Sequence, residues 1–208
     1  MLDTSKRNDQ ESAIGLAGPI PPTRAAGVKL RPPSYLVLGM LRLGARSGYA
    51  VKKATDISTR VFFPTSLAQV YPELARLEKD GLVTRREDPR GARSRSAYNL
   101  TEGGEAALLA WLRSPRFAPT QFRDEGLLRL FFADALPHED QIALVRRMRD
   151  RSLAAERWMH REVLPAAEGL KDAGFRHPHT IARLGADSYG FVADWLDRLA
   201  SELEREAG

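Results

Sequence analysis

The sequence predicts a mainly α protein in two parts: three helices and a two-stranded β-hairpin wing, followed by an all-α segment. Three observations predict it. Apolar residues recur at helical spacing through residues 34–80, the period switches to two over LVTRRED and RSRSAYNLT, and helical spacing returns from Thr101 onward.

Residues 1–31 show no period and contain PIPP, so they read as a flexible leader outside the fold. After Pro32 and Pro33, SYLVLGMLRLG sets Leu36, Met40 and Leu43 on one face, with Ser34 as expected N-cap and Gly44 as stop. A second helix follows in SGYAVKKATDIS, capped by Ser47, with Ala50, Val51, Ala54 and Ile57 inward and Lys52 and Lys53 outward. The third lies in SLAQVYPELARLEKDGLV, where Ser66 and Gln69 have capping-box spacing, Leu67, Val70, Leu74 and Leu77 form the apolar row, and Gly81 ends the helix. Pro72 interrupts that pattern. It removes one amide bond, to the Ala68 carbonyl, and its ring crowds the same carbonyl, at up to about 3 kcal/mol in a helix interior. The apolar row offsets this, and Pro72 falls outward with Gln69, Arg76 and Lys79.

LVTRRED, a turn at DPRG, and RSRSAYNLT read as an antiparallel hairpin with an arginine-bearing tip. TEGGEAALLAWL resumes helix, capped by Thr101, with Leu108, Leu109 and Trp111 to bury and Glu105 near the positive end of the dipole. Beyond it come a short apolar helix in RDEGLLRLFFADAL, a long helix from HEDQ running to Pro165, and a last helix capped by Thr180. Met148, Trp158 and Met159 are expected as packing or dimer residues on the long helix, and Trp111 and Trp195 in the core, with lining of an effector cavity as the alternative for Trp195 on a dimer helix. The expected domains are 1–31 leader, 32–114 winged helix-turn-helix, and 115–208 helical.

Composition narrows the function. The chain has 208 residues, 43% of them apolar, and 32 Lys+Arg against 27 Asp+Glu give a net charge of +5, which mildly favours polyanionic partners. Zero cysteines exclude disulfides, thiolate metal sites and a cysteine nucleophile. No apolar run approaches the roughly 20 residues that span a bilayer, and the first thirty residues lack a secretory core, so the chain reads as cytoplasmic with no membrane partner. No G-x-S-x-G, H-E-x-x-H or phosphate-cradling loop appears, so no enzyme and no cofactor is expected. His177 and His179 in HPHT are separated by a proline with no carboxylate pair beside them, and no metal site is expected.

The outward face of the third helix offers an amide, a guanidinium and an ammonium. Gln pairs bidentately with adenine and Arg with guanine in the major groove. Beside it the hairpin carries Arg85, Arg86, Arg90, Arg93 and Arg95 against only Glu87 and Asp88, an excess of positive charge suited to phosphate or minor-groove contact. Three helices and such a hairpin in this order make a winged helix-turn-helix with double-stranded DNA as expected partner. The candidate contact set is Lys52, Lys53, Ser66, Gln69, Tyr71, Arg76, Arg90, Arg93 and Arg95. The rival from another class is an adaptor that uses a winged helix without reading DNA.

GYAVKKA, VYPELARLEKDGLV and RSAYNLTEGGEAALLAWL, in this order, resemble the PadR family of bacterial transcriptional regulators. There a Tyr-Pro in the recognition helix, a Leu-Glu-x-x-Gly-Leu exit, a Tyr-x-Leu-Thr wing strand and a following Gly recur together. RDEGLLRLFFADAL and GADSYGFVADWLDRLASELE are similar to the C-terminal domain of the larger members, the one also named for a virulence activator. The resemblance matches Tyr71 and Pro72 to the Tyr-Pro, Ser66 and Gln69 to the groove-facing helix start, and Arg93 and Arg95 to the basic wing residues. It implies a homodimer whose C-terminal helices cross between subunits, through Leu128, Phe131, Ile181, Leu184, Phe191, Trp195 and Leu199, on a pseudo-palindromic operator that it represses. Effector chemistry varies across the family, so a small-molecule effector stays unspecified. The wing tip EDPRGAR departs from the pattern by its two acids, which weaken phosphate attraction.

Overall fold

The computed structural model describes residues 24–25, 28–88, 95–117 and 122–206. Two short strands, β1 (Arg24–Ala25) and β2 (Val28–Lys29), pair antiparallel ahead of α1 (Pro32–Arg42), α2 (Gly48–Asp56), α3 (Leu67–Lys79), β3 (Val83–Asp88), β4 (Arg95–Leu100) and α4 (Glu102–Leu112). The second part comprises α5 (Glu125–Phe131), α6 (His138–Trp158), α7 (Leu164–Asp172) and α8 (Arg176–Glu206). The fold is therefore mainly helical, with an N-terminal winged helix-turn-helix and a helical C-terminal part.

Leu30 is buried in the first core, just after the paired strands β1 and β2. Ser34 is not the cap of α1: the helix begins two residues earlier because Pro32 and Pro33 need no amide partner in a first turn. Ser34 lies in that turn, fully buried, its Oγ accepting the Arg31 N–H at 3.0 Å. The buried side of α1 also differs from the expected row. Tyr35, Val37, Leu38, Met40 and Leu41 are buried while Leu36 and Leu43 are only partly so, because α1 is packed against α2, α3, α4 and β4 at once.

Ser47 caps α2 as expected, its Oγ accepting the Ala50 N–H at 3.1 Å. The hairpin register runs from Val83 opposite Leu100 to Asp88 opposite Arg95. Its root is fixed by α4. Thr101 Oγ1 accepts the Gly104 N–H at 3.1 Å and donates to the Gly81 carbonyl at 2.8 Å, while the Thr101 N–H donates to the Leu82 carbonyl at 3.2 Å. Gly81 has φ +70, the left-handed exit that ends α3. Trp111 is not core: it is 39% exposed, stacked on Tyr35 with ring centroids 4.6 Å apart.

In the second part, Pro165 does not end the long helix. A π-helical turn, Met159–Val163, carries α6 into α7 without a gap, and its wider turn lies just ahead of Pro165, where it accommodates a residue that has no amide to donate. Helix α8 starts four residues before Thr180, with Pro178 in its first turn, and the break between α7 and α8 is the turn at Gly174, φ +92. Helix α8 packs along α6 through Val145, Leu196 and Ala200, and along α7 through Ala167, Ala182 and Ala186. The two parts meet where the Arg60 guanidinium lies 4.7 Å over the Trp158 ring and Arg42 lies 5.7 Å over Phe175. Among the described residues no helix is long and apolar enough to cross a membrane.

Candidate nucleic-acid interface

The exposed side of α3 is built by its buried side. Val70, Leu74 and Leu77 are fully buried against α1 and α2, which leaves Ser66, Ala68, Gln69, Tyr71, Pro72, Ala75 and Lys79 exposed. Leu67, expected in the buried row, is 39% exposed, since the helix begins there and the apolar neighbours do not reach it. Glu73 takes its place on the buried face.

The capping box forms. Ser66 N–H donates to Gln69 Oε1 at 2.9 Å, and Ser66 Oγ approaches the same oxygen at 3.2 Å. Ser66 and Gln69 thus stand together at the exposed helix start, with the Gln69 amide oxygen engaged in the cap. Tyr71 is half exposed, and its ring covers Gly48 so closely that a Cβ there would lie 2.5 Å from it. Glycine at position 48 is what lets α3 bring Tyr71 onto the start of α2.

Two expected outward cations are corrected. Arg76 is turned to the side of the helix, its guanidinium 2.5 Å from both Glu73 Oε1 and Ser34 Oγ. The reason is Glu73, one i,i+3 step away and 6% exposed, which needs a cation on burial. Lys52 is partly buried and ion-paired with Asp56 four residues on, whereas Lys53 is exposed. Arg90 and Arg93 lie outside the described residues, and for Arg95 only the backbone, opposite Asp88, is described. Along the described wing Arg85 Nε donates to Ser96 Oγ at 2.8 Å and Arg86 is exposed.

Sequence reasoning missed two groups. Tyr49 is 66% exposed in the first turn of α2, next in sequence to the Gly48 that the Tyr71 ring covers; its small apolar surroundings in sequence carried no signal. Arg46 donates through Nη1 to Asn99 Oδ1 at 2.8 Å, while its carbonyl accepts the Tyr98 N–H at 2.8 Å, so the α1–α2 loop lies along the free edge of β4. Among the described residues no cluster of His, Asp and Glu could hold a metal ion.

This arrangement has known counterparts. Residues 37–110 match the model of the transcriptional regulator PadR-like family, and residues 122–204 that of the virulence activator alpha C-terminal domain. The negative transcriptional regulator PadR of Bacillus subtilis is 24% identical over 178 residues, which cover 83% of this chain and 97% of that one. The structure of B. subtilis PadR in complex with operator DNA superposes with a TM-score of 0.73 at 23% identity, over 84% of this chain and 98% of that one. The same protein in complex with p-coumaric acid gives 0.62 at 21% identity, over 84% and 98%. The Vibrio cholerae virulence activator AphA gives 0.62 at 21% identity, over 84% and 99%.

Proposed function

We propose, from a chain that belongs to the PadR-like family of transcriptional regulators and carries a virulence-activator C-terminal domain, that it acts as a homodimeric repressor on a pseudo-palindromic operator. The observation that carries this reading is the exposed polar start of α3, Ser66, Gln69 and Tyr71, held on a buried apolar row beside an arginine-rich hairpin. Groove-facing side chains then supply sequence preference, and Lys53 with the wing arginines Arg90, Arg93 and Arg95 supplies phosphate attraction. Two such helices on one duplex put the half-sites about one helical turn, roughly 34 Å, apart or a multiple of that.

Dimerisation is supported by apolar side chains that the single chain leaves exposed: Leu128 and Phe131 on α5, and Ile181, Leu184, Phe191 and Trp195 on α8. Leu199 differs from these. It packs within the chain against the Val145, Leu196 and Ala200 core, so its part in a dimer is indirect. A small-molecule effector is supported by a cavity of about 390 Å³ between the two parts, lined by Met40, Leu43, Phe62, Met159, Val163 and Ile181 among others. Among the described residues no Asp, Glu, Lys or Arg lines it, so the effector class it suits is uncharged, with Ser58, Thr59 and His177 as its polar contacts.

A gel shift on the region upstream of the chain's own gene tests the reading against an adaptor role. A shifted complex with two protected half-sites is expected; no preference over random duplex would sink it. Gln69→Ala removes an edge-reading amide and half of the helix cap, and is expected to cost on the order of 1–3 kcal/mol on the operator while relaxing base preference. Equal losses on operator and random DNA would refute the role given to Gln69.

A further inference from the structure

The geometry points to Glu73 as a positioning residue for DNA readout: a buried carboxylate that ties the recognition helix, through Arg76, Ser34 and Arg31, to the entry of α1. The inference rests on the DNA reading proposed above. Glu73 and Ser34 are both buried, at 5% and 0% exposure, beside the apolar core that α1, α2 and α3 share. Arg76 Nη2 reaches Glu73 Oε1 and Ser34 Oγ, each at 2.5 Å, and Arg31 Nη2 stands 3.7 Å from Glu73 Oε2. Ser34 Oγ also accepts the Arg31 N–H at 3.0 Å, which closes the ring of contacts.

The place of Glu73 in α3 gives the network its consequence. Pro72 removes the amide bond that would join residue 72 to the Ala68 carbonyl, so the first turn, carrying Ser66, Gln69 and Tyr71, is joined to the rest of the helix by one bond fewer. Glu73 is the first residue after that gap. Its carboxylate holds Arg76, one turn on in the same helix, against Ser34 of α1, and faces Arg31 from the residue just before α1; these two links fix the rotation of α3 about its axis at the point where backbone bonding is weakest. An apolar row alone tolerates small rotation, because dispersion contacts are non-directional, whereas a carboxylate between two guanidinium groups is directional. The same network withdraws Arg76 from the exposed face, so base reading falls to the helix start, and it makes the residues just before α1 part of the reading unit.

The test compares the full-length wild type with Glu73→Gln, Arg76→Gln and the double variant, measuring affinity for the upstream fragment and for random duplex at one ionic strength. Glu73→Gln is expected to lower the operator-to-random ratio about tenfold through the operator alone. The double variant keeps two amides able to pair at the same spacing, and is expected to return to within about threefold of the wild-type ratio. Single variants that melt earlier but keep the wild-type ratio would overturn the inference, since a purely stabilising network does not set preference. Losses that add in the double variant would overturn it too. A wild type with no preference for any fragment would remove the DNA reading itself, an outcome distinct from both.

Discussion

Gly104→Ala is expected to lower the melting temperature by roughly 6–12 °C, from a loss of about 3 kcal/mol at the upper end of the cost of overpacking. A Cβ at position 104 would lie 2.0 Å from the Leu82 carbonyl oxygen and 3.1 Å from Leu100 Cδ2. The first of these is backbone and cannot rotate away. The Leu82 carbonyl is also the acceptor for the Thr101 N–H, and Thr101 Oγ1 holds both Gly104 and Gly81. Displacing α4 by the necessary amount therefore loosens the exit of α3 and the root of the wing together. DNA affinity should fall along with stability, because both elements of the interface lose their anchor. The neighbouring glycine is the control: at Gly103 a Cβ would meet nothing closer than 3.6 Å, so Gly103→Ala should be neutral or stabilise by up to about 1 kcal/mol. Thermal unfolding of the two variants side by side separates the contact from any general intolerance of side chains in that turn; equal melting temperatures would show that α4 is not held where Leu82 places it.

Local signals carried the N-terminal part of the fold well. Ser47, Ser66 and Thr101 all open helices, Gly81 closes one with a positive φ, and the switch to period two marks both wing strands. What was not legible came from tertiary packing. Tyr35, Val37, Leu38 and Leu41 form no single stripe because α1 is covered on several sides, which a one-sided helical pattern cannot express. Prolines misled where they fall in first turns: Pro165 and Pro178 lie inside helical runs, since a π turn or a tight glycine turn comes just before them. The outward placement of Ser66, Gln69 and Tyr71 was legible, and the placement of Arg76 was not. A charged residue on a helix is assigned outward by default, and only the burial of Glu73 beside it, together with Ser34 from another helix, reverses that. Long-range partners of this kind, with Ser34 and Arg76 lying 42 positions apart in sequence, leave no periodic trace.

Phe191→Glu combined with Leu184→Glu is expected to convert the proposed dimer to monomer while leaving the chain folded. Both side chains are strongly exposed on α8, at 66% and 60%, whereas the residues that hold α8 to α6 and α7, Leu196 and Ala186 among them, are nearly fully buried. Introducing carboxylates on the outer face thus leaves the inner packing intact. Across a two-fold interface each substitution appears twice, so four unpaired charges would be brought together where apolar groups met, and burying even one uncompensated charge is prohibitive. The linkage to DNA follows from effective concentration: a dimer delivers its second recognition helix to the second half-site without a new encounter, and losing that advantage weakens operator binding by roughly 10²–10⁴-fold with no change to any DNA contact. Binding to a single half-site should be nearly unaffected. Sedimentation gives the mass, circular dichroism the retained helix, and titration of full against half operators the ratio. A variant that sediments as a dimer with native helix content would move the subunit contact away from this face of α8, and one that sediments as a monomer yet binds the full operator as tightly as the wild type would show that the two half-sites are not read by a pre-formed pair.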